Sequence, residues 1–116
     1  MPDVTPSPLI LDGIALRDLM VGRIAQRVAA AGSPNVCLAT VLVGDDGPSQ
    51  TYVRNKHKFA AAAGLHSRNE TLSASASQAE AEDLVGRLAA DPNVHGILVQ
   101  QPLPDHLDND AVLRLL

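Results

Sequence analysis

From Cys37 to Val43 the chain reads Cys-Leu-Ala-Thr-Val-Leu-Val, a nearly continuous apolar run with β-branched residues that stops at Gly44. Such a run lacks the polar alternation of a strand with one wet face, and it predicts a parallel strand covered on both sides. Gly96-Ile97-Leu98-Val99-Gln100 repeats the pattern, and Pro102 and Pro104 forbid its continuation inside a sheet. Leu65 to Thr71 is a weaker third candidate.

The segments between these strands carry helical periodicity. Leu16, Met20, Ile24 and Val28 recur every four residues after Asp12, a candidate N-cap, and the helix should end at Gly32. Ser49 can cap a second helix that runs through Lys58 to Ala63 and is closed by Gly64. Ser77 and Glu80 have the spacing of a capping box ahead of the stripe Ala81, Leu84, Val85, Leu88, and Asp91-Pro92-Asn93 ends that helix. A short fourth helix spans Asp108 to Leu115. The order αβαβαβα calls for right-handed crossovers and a three-layer α/β/α fold with a small, mostly parallel sheet. Residues 1–8, with Pro2 and Pro6, read as a flexible leader, and residues 9–116 as one domain.

Apolar residues make up 46% of the 116-residue chain and aromatics 2%, so Ala, Val, Leu and Ile must build the core. A net charge of −4 with scattered basic residues argues against nucleic acid, because phosphate neutralisation needs clustered Lys and Arg. The single Cys37 excludes an intramolecular disulfide and a cysteine-rich zinc site, and it fits the reducing cytoplasm. No stretch approaches the roughly 20 apolar residues of a membrane span, and no export signal opens the chain. His57, His66, His95 and His106 fall in different elements without a metal-like pair.

Tyr52 and Lys56 stand four residues apart on the second helix, so their side chains share a face beside the carboxyl end of the first strand, where open α/β sheets bind ligands. Lys56 alone reads as a solvated helix residue. With Tyr52 beside it, an ammonium partly withdrawn from water can move protons or polarise a carbonyl-like centre. Gln100 is expected at the end of a central strand, where its amide both donates and accepts. Pro102-Leu103-Pro104 is either a rigid turn or a wall for a flat ligand. The chain holds no Gly-x-Gly-x-x-Gly and no Walker A sequence.

Taken together, Leu11-Asp12-Gly13, the run Val41 to Lys56 and the run Gly96 to Pro104 resemble the N-terminal catalytic domain of the bifunctional methylenetetrahydrofolate dehydrogenase/methenyltetrahydrofolate cyclohydrolase family. The resemblance implies catalysis on tetrahydrofolate derivatives. It matches Lys56 to the catalytic lysine that assists proton transfer as water attacks the methenyl carbon. It matches Tyr52 to the tyrosine that orients the folate, Gln100 to the glutamine that bonds the lysine, and Pro102 and Leu103 to the wall of the folate cleft. Gln101 stands where the family usually has leucine. The complete enzymes use NADP, bound by a C-terminal Rossmann domain, and the resemblance implies that this chain has the folate-side groups but no NADP site. The apolar stretch Val112 to Leu116 leaves either that domain or a homodimer partner as its expected cover, and a non-catalytic folate-binding remnant is the rival reading.

Overall fold

The computed structural model describes residues 5–116; the first half of the expected leader, residues 1–4, lies outside them. Thr5 to Leu11 form no helix or strand and are exposed, so regular structure begins later than Leu9. Helix α1 (Gly13–Ala30) starts where Asp12 accepts a 2.9 Å hydrogen bond from the Ala15 amide. Strand β1 (Cys37–Val43) is buried along almost its whole length. Helix α2 (Gly47–Ala62), strand β2 (His66–Leu72), helix α3 (Gln78–Ala90), strand β3 (Gly96–Val99) and helix α4 (Asn109–Leu113) follow.

The sheet is wholly parallel with the order β2-β1-β3, so the apolar run predicted to be covered on both faces is its centre. β3, expected in the middle, is an edge among the described residues. Its register pairs Ala39 with Ile97 and Val41 with Val99. The other edge, β2, is His-Ser-Arg-Asn-Glu-Thr-Leu, mostly exposed, and Arg68 pairs with Glu70 at 2.9 Å and Asp91 at 3.2 Å. Charges along an edge discourage pairing with another sheet.

Ala39, Val41 and Val43 point to one face, where Leu84, Val85 and Leu88 of α3 and Val112 of α4 form the core with Val99, Leu103 and Leu107. The Ser77–Glu80 capping box that starts α3 is present in both directions. Val112 is fully buried and Leu113 packs on the same core, so Arg114, Leu115 and Leu116 are the exposed residues of the terminal stretch.

On the opposite face α2 lies on the sheet through Ser49, Val53 and Ala60. Its N-cap is Asp46 rather than Ser49: the Asp46 carboxylate accepts from the Ser49 amide at 3.0 Å and the Ser49 hydroxyl at 2.7 Å. Gly47 and Pro48 have helical positions, and Pro48 has no amide to satisfy there, so the cap falls one turn earlier. Gly44 (φ +96°) makes the turn out of β1, where an added Cβ would lie 3.5 Å from that of Ala74. Beyond α2, α1 buries no residue: Leu16, Leu19 and Met20 are each at least half exposed. Its tie to α2 includes the Arg17 guanidinium, 4.6 Å from the centre of the Phe59 ring. No helix of the described residues is long and apolar enough to cross a membrane.

Candidate active site

The polar site lies where the middle of α2 faces the residue that follows β3. Gln100 follows β3, its amide bonded to the Val41 carbonyl at 2.9 Å, and its residue is 9% exposed. Its side-chain nitrogen donates to the Gln101 carbonyl at 3.0 Å. A carbonyl only accepts, so that bond fixes the amide orientation and leaves Oε1 for a donor. Lys56 Nζ is that donor, at 3.0 Å. Two residues 44 apart in sequence meet because α2 packs over β1 and β2 and the Lys56 side chain reaches across to the residue that follows β3. The bond uses one of the three ammonium hydrogens and leaves two for a ligand.

Tyr52 lies one turn before Lys56, 54% exposed, with the ammonium 5.6 Å from its ring centre. That distance is within cation–π range. The ring is one wall of a cavity of about 480 Å³ whose lining is mostly apolar and includes Val21, Ile24, Phe59 and Leu98, with Asn55 and Lys56 as its polar members. Cavities of this size hold small organic ligands.

Pro102 and Leu103 do not line that cavity. They border a second hollow, of about 270 Å³, with Asp45, Asp46 and Ala74. Pro102 is exposed, whereas Leu103 is 8% exposed and packs in the core. The segment that carries them is clamped to the start of α3: His106 Nε2 donates to the Ala76 carbonyl at 2.7 Å, and Gln78 and Asp108 exchange side-chain-to-backbone bonds. Ser49 Oγ lies 2.7 Å from Asp46 and 3.3 Å from the Gln101 carbonyl. One hydroxyl hydrogen serves one strong bond, and the shorter, charge-assisted one takes it.

Sequence reasoning did not find the polar group beneath α2, where His57 lies between Thr40 Oγ1 at 2.8 Å and Ser67 Oγ at 2.6 Å. The signal available was Thr40, the one hydroxyl in an otherwise apolar strand.

Fold and site together define the class: an open parallel α/β domain with a lysine–amide pair at its strand ends. The catalytic-domain profile of the tetrahydrofolate dehydrogenase/cyclohydrolase family matches residues 11–116, and the chain belongs to that family. It is 47% identical over 110 residues to the bifunctional protein FolD of Caulobacter sp. (strain K31) and 45% identical over 109 residues to that of Bordetella avium, each match covering 92% of this chain. The chain spans 37% and 38% of the length of these curated relatives. Among solved structures, the bifunctional FolD of Campylobacter jejuni aligns over 92% of this chain and 39% of its own, with a TM-score of 0.86 and 38% identity. The Trypanosoma brucei N5,N10-methylenetetrahydrofolate dehydrogenase-cyclohydrolase, solved with NADP and an inhibitor, aligns over 97% of this chain and 39% of its own at a TM-score of 0.90 and 34% identity.

The N-termini of the three long helices do not offer a pyrophosphate cradle. A pyrophosphate is held at a free helix N-terminus after a glycine-rich turn. Here the first turns of α1, α2 and α3 are capped by Asp12, Asp46 and the Ser77–Glu80 pair. Each places a carboxylate where a phosphate would have to lie.

Proposed function

We propose that residues 9–116 are the folate-binding catalytic domain of a methylenetetrahydrofolate dehydrogenase/methenyltetrahydrofolate cyclohydrolase, and that Lys56 is its proton-transfer group. The observation that carries this reading is the 3.0 Å bond from Lys56 Nζ to an amide whose orientation is fixed from behind. A lysine so held is pre-positioned, and a group already held in the reacting geometry lowers the barrier by the entropy that would otherwise be lost in bringing it there.

In the hydrolytic half-reaction a water attacks the methenyl carbon of 5,10-methenyl-tetrahydrofolate. The water oxygen gives up one proton as the new C–O bond forms and its second as the carbonyl forms. N5 takes up one as its bond to that carbon breaks, and one proton is released net to give 10-formyl-tetrahydrofolate. Lys56 in its amine form takes the water's proton, and the resulting ammonium stabilises charge developing on the oxygen and returns a proton to N5. Gln100 holds the lysine, and Tyr52 offers an exposed ring on which a flat pterin can lie beside Nζ. Pro102 and Leu103 are assigned to the wall of the folate cleft by the family resemblance, and they border the hollow that adjoins Asp45 and Asp46 rather than the cavity of Tyr52 and Lys56. Oxidation of 5,10-methylene- to 5,10-methenyl-tetrahydrofolate with NADP needs a dinucleotide site, which we assign to a C-terminal Rossmann domain outside the residues given, or to a chain that pairs with this one. The compartment we assign is the cytoplasm, a reading supported by the free, buried Cys37.

The test is the loss of methenyl-tetrahydrofolate absorbance above the buffer rate, with Lys56→Met as control. Turnover that falls by about 10²- to 10⁴-fold in the variant, the range for losing a general acid–base group, is the expected result. A parent rate no faster than buffer, together with folate binding, would instead identify a non-catalytic folate-binding module.

A further inference from the structure

We propose that His57 is a positioning residue for Lys56: its ring, bonded through both nitrogens, sets the roll of α2 and thereby the place of the ammonium. This rests on the reading of Lys56 given above, but its physical content can be measured without turnover.

The buried contacts of α2 with the sheet come from small residues. Ser49, Val53 and Ala60 are its buried residues, and none has a bulky side chain that would lock one rotation about the helix axis. Ridge-and-groove packing needs such side chains to define an angle. Polar bonds take that role here. His57 Nε2 meets Thr40 of β1 at 2.8 Å and Nδ1 meets Ser67 of β2 at 2.6 Å. Thr40 is wholly buried and donates its one hydrogen to Asn69 Oδ1 at 2.9 Å. Asn69 Nδ2 in turn donates to Thr71 at 3.1 Å, which keeps Oδ1 turned towards Thr40. Thr40 therefore has only a lone pair left for the ring, so Nε2 carries the hydrogen and Nδ1 accepts from Ser67. Every member of the chain from Ser67 through His57 and Thr40 to Asn69 and Thr71 has a defined direction.

Lys56 and His57 are neighbours on α2, about 100° apart around the axis, so they straddle the sheet. His57 reaches β1 and β2, while Lys56 reaches Gln100 beyond β3. A roll of about ten degrees swings an extended lysine tip by more than about 1 Å, and a misplacement of that size can cost on the order of 10²-fold in rate. The ring bonds oppose that roll at the residue adjacent to the lysine.

Two measurements on the parent chain, His57→Gln, His57→Leu and Ser67→Ala test this. The first uses NMR: Lys56 and Lys58 are the only lysines, so their ε-methylene signals are readily assigned. A held side chain keeps its two ε protons inequivalent, whereas a free one averages them. The expected result is inequivalent Lys56 protons in the parent and in His57→Gln, merged ones in His57→Leu, and no change at Lys58. The second is kinetic: kcat for methenyl-tetrahydrofolate hydrolysis should fall by about 10- to 100-fold in His57→Leu with KM within about threefold, and His57→Gln should recover most of it. Should His57→Leu not fold, Ser67→Ala, which removes one ring bond, carries both measurements and should move them the same way by less. Inequivalent Lys56 protons in a folded His57→Leu, or a separation in Ser67→Ala as large as the parent's if that variant stands in, would overturn the proposal. A parent chain without turnover would count against the hydrolytic reading alone, since the NMR result stands apart from it.

Discussion

On the face of the sheet that carries α3 and α4, Leu84, Val85, Leu88 and Val112 are each no more than 5% exposed and interlock with Ala39, Val41 and Val43. On the face that carries α2 and α1, the contact is a row of small residues and a hydrogen-bonded histidine, and α1 buries nothing. The apolar core is concentrated on the first face and the candidate site on the second. The difference teaches that a site needing a polar group at a defined place is served by directional bonds, which specify one geometry, whereas an apolar core needs only volume and exclusion of water.

The comparison can be broken at several points. Leu88→Ala, which empties a site 2% exposed, should lower unfolding free energy by about 2–5 kcal/mol in urea denaturation, while the Lys56–Gln100 geometry on the far face is retained in the folded fraction. Gln100→Leu acts on the other side of the balance. A hydrogen bond to a charged group is worth about 1.5–3 kcal/mol, so turnover should fall by about 10- to 150-fold, and an unchanged rate would show that Lys56 is held by something else. The smallest effect belongs to α1. Leu19 is 50% exposed, so Leu19→Ala should shift stability by less than about 0.5 kcal/mol; a loss of about 2 kcal/mol or more would show that this apolar face is covered in solution.

Elements governed by near neighbours were legible in the chain. The caps at Asp12 and Ser77 depend on an acceptor reaching an amide three residues on, and both form as expected. The cap of α2 was misplaced because Asp46 and Ser49 are both competent, and only the conformation of Gly47-Pro48 decides between them. Tyr52 and Lys56 follow from helical spacing, and the site at the strand ends follows from the parallel architecture.

The sequence by itself determined which segments are strands and helices, where most begin and end, and that the sheet is parallel, because periodicity, capping and turn chemistry act over a few residues. Only the tertiary structure decided that β1 is central and β3 an edge among the described residues, that Leu103 enters the core, that Lys56 finds Gln100 across 44 positions, and that His57 joins Thr40 and Ser67 beneath α2. Those contacts depend on strand register and on the roll of a helix against the sheet, which are set by packing and hydrogen bonding between distant segments and leave no periodic trace along the chain.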